Sequence, residues 1–228
     1  DTEFGEYIFV EETKYKAITG VARMTKDEQD VSGDTFSMIN LQSGELLMAL
    51  SDGMGSGTSA LDESKNVIEL LEQMSEAGFS QTSAIRLINS LYMSDQEFES
   101  YATLDISLIN LYKGECSFLK NGAVGTYILN QGKMYCIEGQ SLPMGVIGEA
   151  EPYIGKMNIY SGDYIIMMTD GVADMFSDEK YNLEKYIGQI DAVNPGDMAQ
   201  AIVDEAVRRN SGYISDDMSV IVAGVWEN

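Results

Sequence analysis

Four short segments place a carboxylate where an apolar run gives way to a turn, or just before such a run begins. They are Ser32-Gly33-Asp34, Ser51-Asp52-Gly53 after Leu46–Leu50, Thr169-Asp170-Gly171 after Tyr164–Met168, and Ser215-Asp216-Asp217 ahead of Val220–Val225. Two of them share the signature Ser/Thr-Asp-Gly, in which glycine permits a turn that a residue with a Cβ resists and leaves a carbonyl open to a ligand. Taken singly, Asp-Gly is an ordinary turn dipeptide. Its repetition at separate strand ends suggests a common use. If those ends meet, three or four carboxylates share a small volume and raise one another's pKa unless a cation neutralises them. Hard oxygen donors of this kind suit Mg²⁺ or Mn²⁺. Two such ions side by side activate water and steady a phosphoryl group during its displacement.

The composition removes most competing chemistry. The 228 residues include no histidine, which excludes Ser-His-Asp and Cys-His catalysis and His-ligated zinc. Ser56, between Gly55 and Gly57, would have no base to serve it as an esterase nucleophile. The run Gly53-x-Gly55-x-Gly57 lacks both the P-loop lysine and the dinucleotide-binding spacing. No Asp-x-Asp-x-Asp-Gly loop points to a calcium-binding protein. Cys116 and Cys136 do not form a Cys-x-x-Cys pair and are expected as two buried free thiols. A net charge of −23 disfavours nucleic acid and anionic lipid as partners. It also disfavours an anionic substrate, except where bound cations reverse the local field.

The elements that must position these aspartates can be read from periodicity. Strands are expected at Tyr15–Arg23, Phe36–Leu41 and Glu45–Leu50, followed by helices from Thr58 to a stop at Gly78 and over Thr82–Tyr92. A run of short strands follows at Leu104–Tyr112, Cys116–Asn121, Val124–Asn130, Lys133–Glu138, Gly155–Tyr160 and Asp163–Thr169. Helices over Asp178–Ile190 and Pro195–Arg209 and a strand over Met218–Trp226 close the chain. Strands and helices are grouped rather than alternating, which argues for an α+β fold with helices packed on antiparallel sheets. No repeat or linker divides residues 1–228, so one domain is expected. The apolar runs are too short to span a bilayer.

The aspartate segments, with Thr19-Gly20-Val21-Ala22-Arg23, Asp52-Gly53-Met54-Gly55, Ser141-Leu142-Pro143-Met144-Gly145 and Asp216-Asp217-Met218-Ser219, resemble the type 2C (PPM) family of metal-dependent protein phosphatases. Within it the chain is most similar to the sporulation phosphatases, and the similarity runs in order along nearly the whole chain. The resemblance implies a β-sandwich of two antiparallel sheets flanked by helices, with two Mn²⁺ or Mg²⁺ ions between the sheets. Carried over, Asp52 bridges both ions, the Gly53 carbonyl holds one, Asp170 and Asp216 hold the other, and Asp34 binds directly or through water. Asp217 stands where the wider family has asparagine, so the ligand is one of the pair Asp216 and Asp217. Asp52 and Asp170 would act catalytically through the activated water. The Gly122–Thr126 stretch lacks the aspartate that feeds a third ion in the wider family, and Arg23 is the nearest counterpart of a phosphate-binding arginine. The resemblance further implies a phosphoserine substrate on a small STAS-type anti-anti-sigma protein, whose dephosphorylation activates a sporulation sigma factor. It implies a cytoplasmic domain on the inner membrane face, forming the C-terminal part of a longer membrane protein. It also implies a homodimer or higher oligomer, with the helices after Thr58 acting as a switch.

Overall fold

Alternation within each strand decides which side chains enter the interior. In the computed structural model, which describes residues 11–55, 57–94, 101–147, 151–176, 182–190 and 193–228, ten strands form two antiparallel five-stranded sheets. One sheet has the order β1 (Tyr15–Met24), β10 (Met218–Glu227), β9 (Asp163–Met168), β6 (Thr126–Asn130), β7 (Lys133–Ile137). The other has the order β2 (Asp34–Asn40), β3 (Glu45–Asp52), β4 (Leu104–Asn110), β5 (Glu115–Asn121), β8 (Tyr153–Asn158).

The sheets face each other across a layer built from Leu46, Met48 and Leu50 on one side and Ile165, Met167, Ile221 and Ala223 on the other. Along six strands of this sandwich the inward side chains turn from apolar to polar at the same end. Leu50 is followed on its face by Asp52, Phe36 is preceded by Asp34, and Phe118 is followed by Lys120. In the opposite sheet Met167 is followed by Thr169, while Ile221 is preceded by Ser219 and Ile128 by Thr126. The interior is therefore apolar along most of its length and polar at one end.

Helices cover both outer faces. α1 (Thr58–Glu76) and α2 (Gln81–Ser94) bury Val67, Ile68, Leu71, Ile85 and Ile88 against Leu47, Ala49, Leu104 and Ile106. α3 (Asp170–Ala173), α4 (Leu183–Ile187) and α5 (Pro195–Arg209) cover the other sheet through Met198, Ile202, Val203 and Ala206. α5 starts where the sequence places it. The Asn194 side chain accepts from the Gly196 and Asp197 amides, Pro195 occupies the first turn, and Arg208 and Arg209 sit in the last turn.

Three expectations need correction. Thr169-Asp170-Gly171 is not a turn between strands but the entry to α3: the Val172 and Ala173 amides bond to the Thr169 carbonyl, so Asp170 opens a helical turn. Only Leu183–Ile187 is helical among the described residues of the segment expected as Asp178–Ile190, and Ser56 and residues 178–181 lie outside the described residues. Both thiols are free, but only Cys116 is buried; Cys136 is half-buried beside Glu138.

Candidate metal centre

Asp34 begins β2 and Asp52 ends β3, and the ladder places them directly opposite each other. Opposed residues of an antiparallel pair share a face, so both carboxylates lie at the polar end of the sandwich. Asp34 is 1 % exposed. Its Oδ2 accepts a hydrogen bond from Thr169 Oγ1 at 3.0 Å, across the two sheets, while its Oδ1 is buried without a protein partner. Burial pushes the Asp34 carboxyl up to about 7; the nearby Ser219 hydroxyl and the Thr169 hydrogen bond oppose this, and the charges of Asp217 and Asp170 add to it. Asp52 is pushed up to about 8, first by burial and then by Asp34, Asp170, Asp216 and Asp217. Asp170 is also raised, by burial and then by Asp216, with hydrogen bonding from the Gly171 backbone and then with Asp52 partly offsetting the rise. Carboxylates from four chain segments thus bear on the ionisation of Asp34, Asp52 and Asp170, as like charges do.

Two backbone approaches hold the segments together. A Cβ at Gly53 would overlap the Ala60 carbonyl of α1, so the helix backbone rests on the residue that follows Asp52. A Cβ at Gly171 would overlap the Asp217 carbonyl, which locks the start of α3 against the Asp216-Asp217 segment. The Gly53 carbonyl lies beside Gly33, 3.7 Å from where a Cβ there would stand.

The adjacent pair Asp216 and Asp217 is separated by its hydrogen bonds. Asp217 is buried, with Oδ1 accepting from the Lys26 amide at 2.9 Å and Oδ2 from the Gly33 amide at 2.7 Å. Both oxygens are spent on clamping the β1–β2 connection to the start of β10. Asp216 is exposed; its Oδ1 accepts from the Asp217 amide at 3.0 Å and stands 3.7 Å from Lys26 Nζ. Arg23 is exposed on β1, paired with Ser219 near the same end.

The donor set fits hard divalent cations. It offers the buried carboxyl of Asp34 and the half-buried carboxyl of Asp52, both with ionisation suppressed, an unpartnered buried oxygen on Asp34, and the exposed carboxylates of Asp170 and Asp216. Among the described residues no three acidic or cysteine side chains already close around a single point. The carboxylates are gathered at one end without forming a finished cage.

The sequence motifs give no role to several neighbours: Thr169, whose Oγ1 bonds to Asp34 across the sheets and accepts from the Ser219 amide within its own sheet, and Asp105, Lys120 and Thr126, which form a buried polar network beside the aspartates. Their signal was present. Asp105 and Ser107 alternate with apolar residues in β4, and Lys120 follows Phe118 on the inner face of β5.

The sequence matches the family Stage II sporulation protein E (SpoIIE) over residues 42–226. The chain belongs to the SpoIIE family. Stage II sporulation protein E of Priestia megaterium is 37 % identical over 217 residues, covering 94 % of this chain and 37 % of that protein, so the chain spans little more than a third of the relative's length. The solved PP2C phosphatase domain of SpoIIE from Bacillus subtilis, with a fragment of its regulatory domain, superposes with a TM-score of 0.88 at 34 % identity, covering 95 % of this chain and 65 % of that one. The catalytic domain of the serine/threonine phosphatase PstP, solved with two manganese ions, shares the fold at a TM-score of 0.74 and 20 % identity, over 93 % of this chain and 100 % of that one. The SpoIIE-family chain thus carries a PP2C-type phosphatase domain, and the expected sandwich of two antiparallel sheets flanked by helices is what the structure has. The matched segment contains Asp52, Gly53, Asp170, Asp216 and Asp217; Asp34 precedes it and joins the site through the β2–β3 ladder. No helix of this SpoIIE-family domain, among the described residues, is long and apolar enough to cross a membrane.

Proposed function

We propose that this chain is a metal-dependent phosphatase domain that hydrolyses phosphoserine on a small STAS-type anti-anti-sigma protein and thereby activates a sporulation sigma factor. The observation that carries the reading is the meeting of Asp34, Asp52, Asp170 and Asp216 at the polar end of a PP2C-type sandwich. Asp34, Asp52, the Gly53 carbonyl, Asp170 and Asp216 are the ligands; Asp217 is not, because its oxygens hold the Lys26 and Gly33 amides in place. Bound Mn²⁺ or Mg²⁺ would offset the charge of the phosphoryl group and lower the pKa of water there. Burial holds protons on Asp34 and Asp52 up to near-neutral pH, so cation binding at these residues releases protons. With neither histidine nor a cysteine motif available, the chain needs no phosphoenzyme: direct attack of water on phosphorus suffices.

In the proposed setting the domain is carried on the inner face of the cell membrane by the remainder of a longer protein. The contact of the α1 backbone with Gly53 ties the position of that helix to the site, which suits control by self-association through a homodimer or higher oligomer. The test is a Mn²⁺ titration of phosphate release from a phosphoserine STAS protein, comparing wild type with Asp52→Ala and Asp170→Ala. Both variants should lose activity while keeping the fold. Activity that survives EDTA would overturn the proposal.

A further inference from the structure

Lys120 is 0 % exposed, at the centre of the polar end, and the proposed chemistry makes no use of it. It stands opposite Asp105 in the β4–β5 ladder. Its ammonium donates to Asp105 Oδ2 at 2.7 Å, to Thr126 Oγ1 at 2.7 Å and to the Val124 carbonyl at 2.6 Å, which uses all three of its protons. Thr126 Oγ1 in turn donates to Asp105 Oδ2 at 2.7 Å. One carboxylate oxygen of Asp105 is therefore well supplied with donors. The other, Oδ1, is buried without a protein partner.

An unpartnered buried carboxylate oxygen costs roughly 1–3 kcal/mol or more, so a donor is expected nearby. Asp105, itself buried, lines the inner end of a partly open cavity of about 30 Å³ between the sheets, whose other polar walls are Asp52, Thr103, Thr169 and Asp170. A water needs about 10–15 Å³ and two to four polar partners, and both conditions are met here. A cation is a poorer fit at Asp105, because Lys120 already neutralises that carboxylate at 2.7 Å. Across the same cavity, the Asp52 backbone is fixed by Thr103: its amide donates to Thr103 Oγ1 at 3.0 Å and its carbonyl accepts from the Thr103 amide at 2.9 Å. The backbone of Asp52 is thus held in place, whereas its carboxylate depends on what occupies the cavity.

We propose that this cavity is a buried hydration site in which water donates to Asp105 Oδ1 and to the Asp52 carboxylate, making Asp105 and Lys120 positioning residues for the metal centre. The Lys120 network fixes Asp105, Asp105 fixes the water, and the water sets the angle at which Asp52 faces its ligand. The positioning role rests on the reading of Asp52 as a metal ligand; the hydration site does not.

The experiment compares two double variants that avoid leaving one buried charge alone. Asp105→Asn with Lys120→Met keeps a polar group facing the cavity, and Asp105→Leu with Lys120→Met removes it. In metal-free protein, nuclear Overhauser effects from a long-lived water to the Thr103 and Val124 amides should be present in the wild type and the Asn/Met variant and lost in the Leu/Met variant. Calorimetric titration with Mn²⁺ should show Leu/Met weakened about tenfold or more, the effect typical of losing an outer partner of a ligand, with Asn/Met within about threefold of the wild type. Melting temperatures check that each variant is folded. Absence of the water signal from the wild type overturns the proposal without recourse to any variant. Equal Mn²⁺ affinity in all three proteins, or an equal loss in both variants, overturns the positioning role. A water signal in a wild type that binds no Mn²⁺ supports the hydration site and overturns both the positioning role and the metal reading.

Discussion

Replacing Asp52 by asparagine should make the metal-free protein more stable while destroying its metal site. The Asp52 carboxyl titrates at about 8 in the fold against an ordinary value of 3.8. At about 1.4 kcal/mol per pKa unit, ionising it in the folded state costs at most roughly 6 kcal/mol. Part of that is repulsion shared with Asp34, and relaxation of the site absorbs more, so about 3 kcal/mol is the expected gain from a neutral isostere. The sign follows from proton binding. Between pH 3.8 and about 8 the folded state keeps a proton on Asp52 that the unfolded chain has lost, so this group makes stability fall as pH rises. Asparagine is free of that dependence. Its advantage should be small near pH 4, grow through neutrality and level off above pH 8. Thermal melts in EDTA should show the variant about 6–12 °C above the wild type at pH 8 to 9, as expected for a domain of this size. Saturating Mn²⁺ should reverse the order, because only the wild type gains stability by mass action. A variant that melts at or below the wild type in EDTA at pH 8, or whose advantage does not change with pH, would refute the reasoning.

The adjacent aspartates should separate cleanly. Asp217→Ala leaves the Lys26 and Gly33 amides without their acceptor and should cost about 2–4 kcal/mol in urea unfolding with or without metal. Asp216→Ala should change stability by less than about 1 kcal/mol, as for an exposed ion pair, yet weaken Mn²⁺ binding measured by calorimetry. Gly53→Ala drives a methyl into the Ala60 carbonyl and should destabilise by about 2–4 kcal/mol, with faster amide exchange at the start of α1. Thr169→Val removes the donor to Asp34 Oδ2 and the acceptor of the Ser219 amide, and should cost about 1–3 kcal/mol by thermal melting.

Most of this site could be read from the chain because its residues sit at boundaries that the sequence marks. Asp34 and Asp52 follow or precede apolar runs whose period fixes the strand, and α5 is bracketed by Asn194, Pro195 and two arginines, so its limits are those expected. What remained hidden depends on contacts between distant segments. Asp216 and Asp217 are equivalent in sequence, and only the placement of the Lys26 and Gly33 amides assigns one to the clamp. Thr169-Asp170-Gly171 reads as a turn because Asp-Gly usually is one; the packing of Gly171 on the Asp217 carbonyl allows the helical entry instead. Lys120 drew no role because a lone lysine near a strand end usually reads as exposed, despite its place on the Phe118 face, and its burial follows from three acceptors supplied by β4, β6 and the loop between β5 and β6.

The strand ladder explains why these carboxylates can serve as a site at all. Loops could bring acids together, but they would also let mutual repulsion drive the acids apart. Here Asp34 and Asp52 are the last rungs of a seven-pair register that runs through Phe36 with Leu50 and Met38 with Met48. Slipping that register by one residue would expel the apolar partners from the inner layer along with the acids. The hydrophobic length of the sandwich therefore opposes the electrostatic repulsion at its end, and burial, with the repulsion added to it, appears as raised carboxyl pKa values rather than as separation. The site is held ready by packing that lies mostly outside it, and the cost of ionising its buried carboxyls is relieved by whatever positive group binds there.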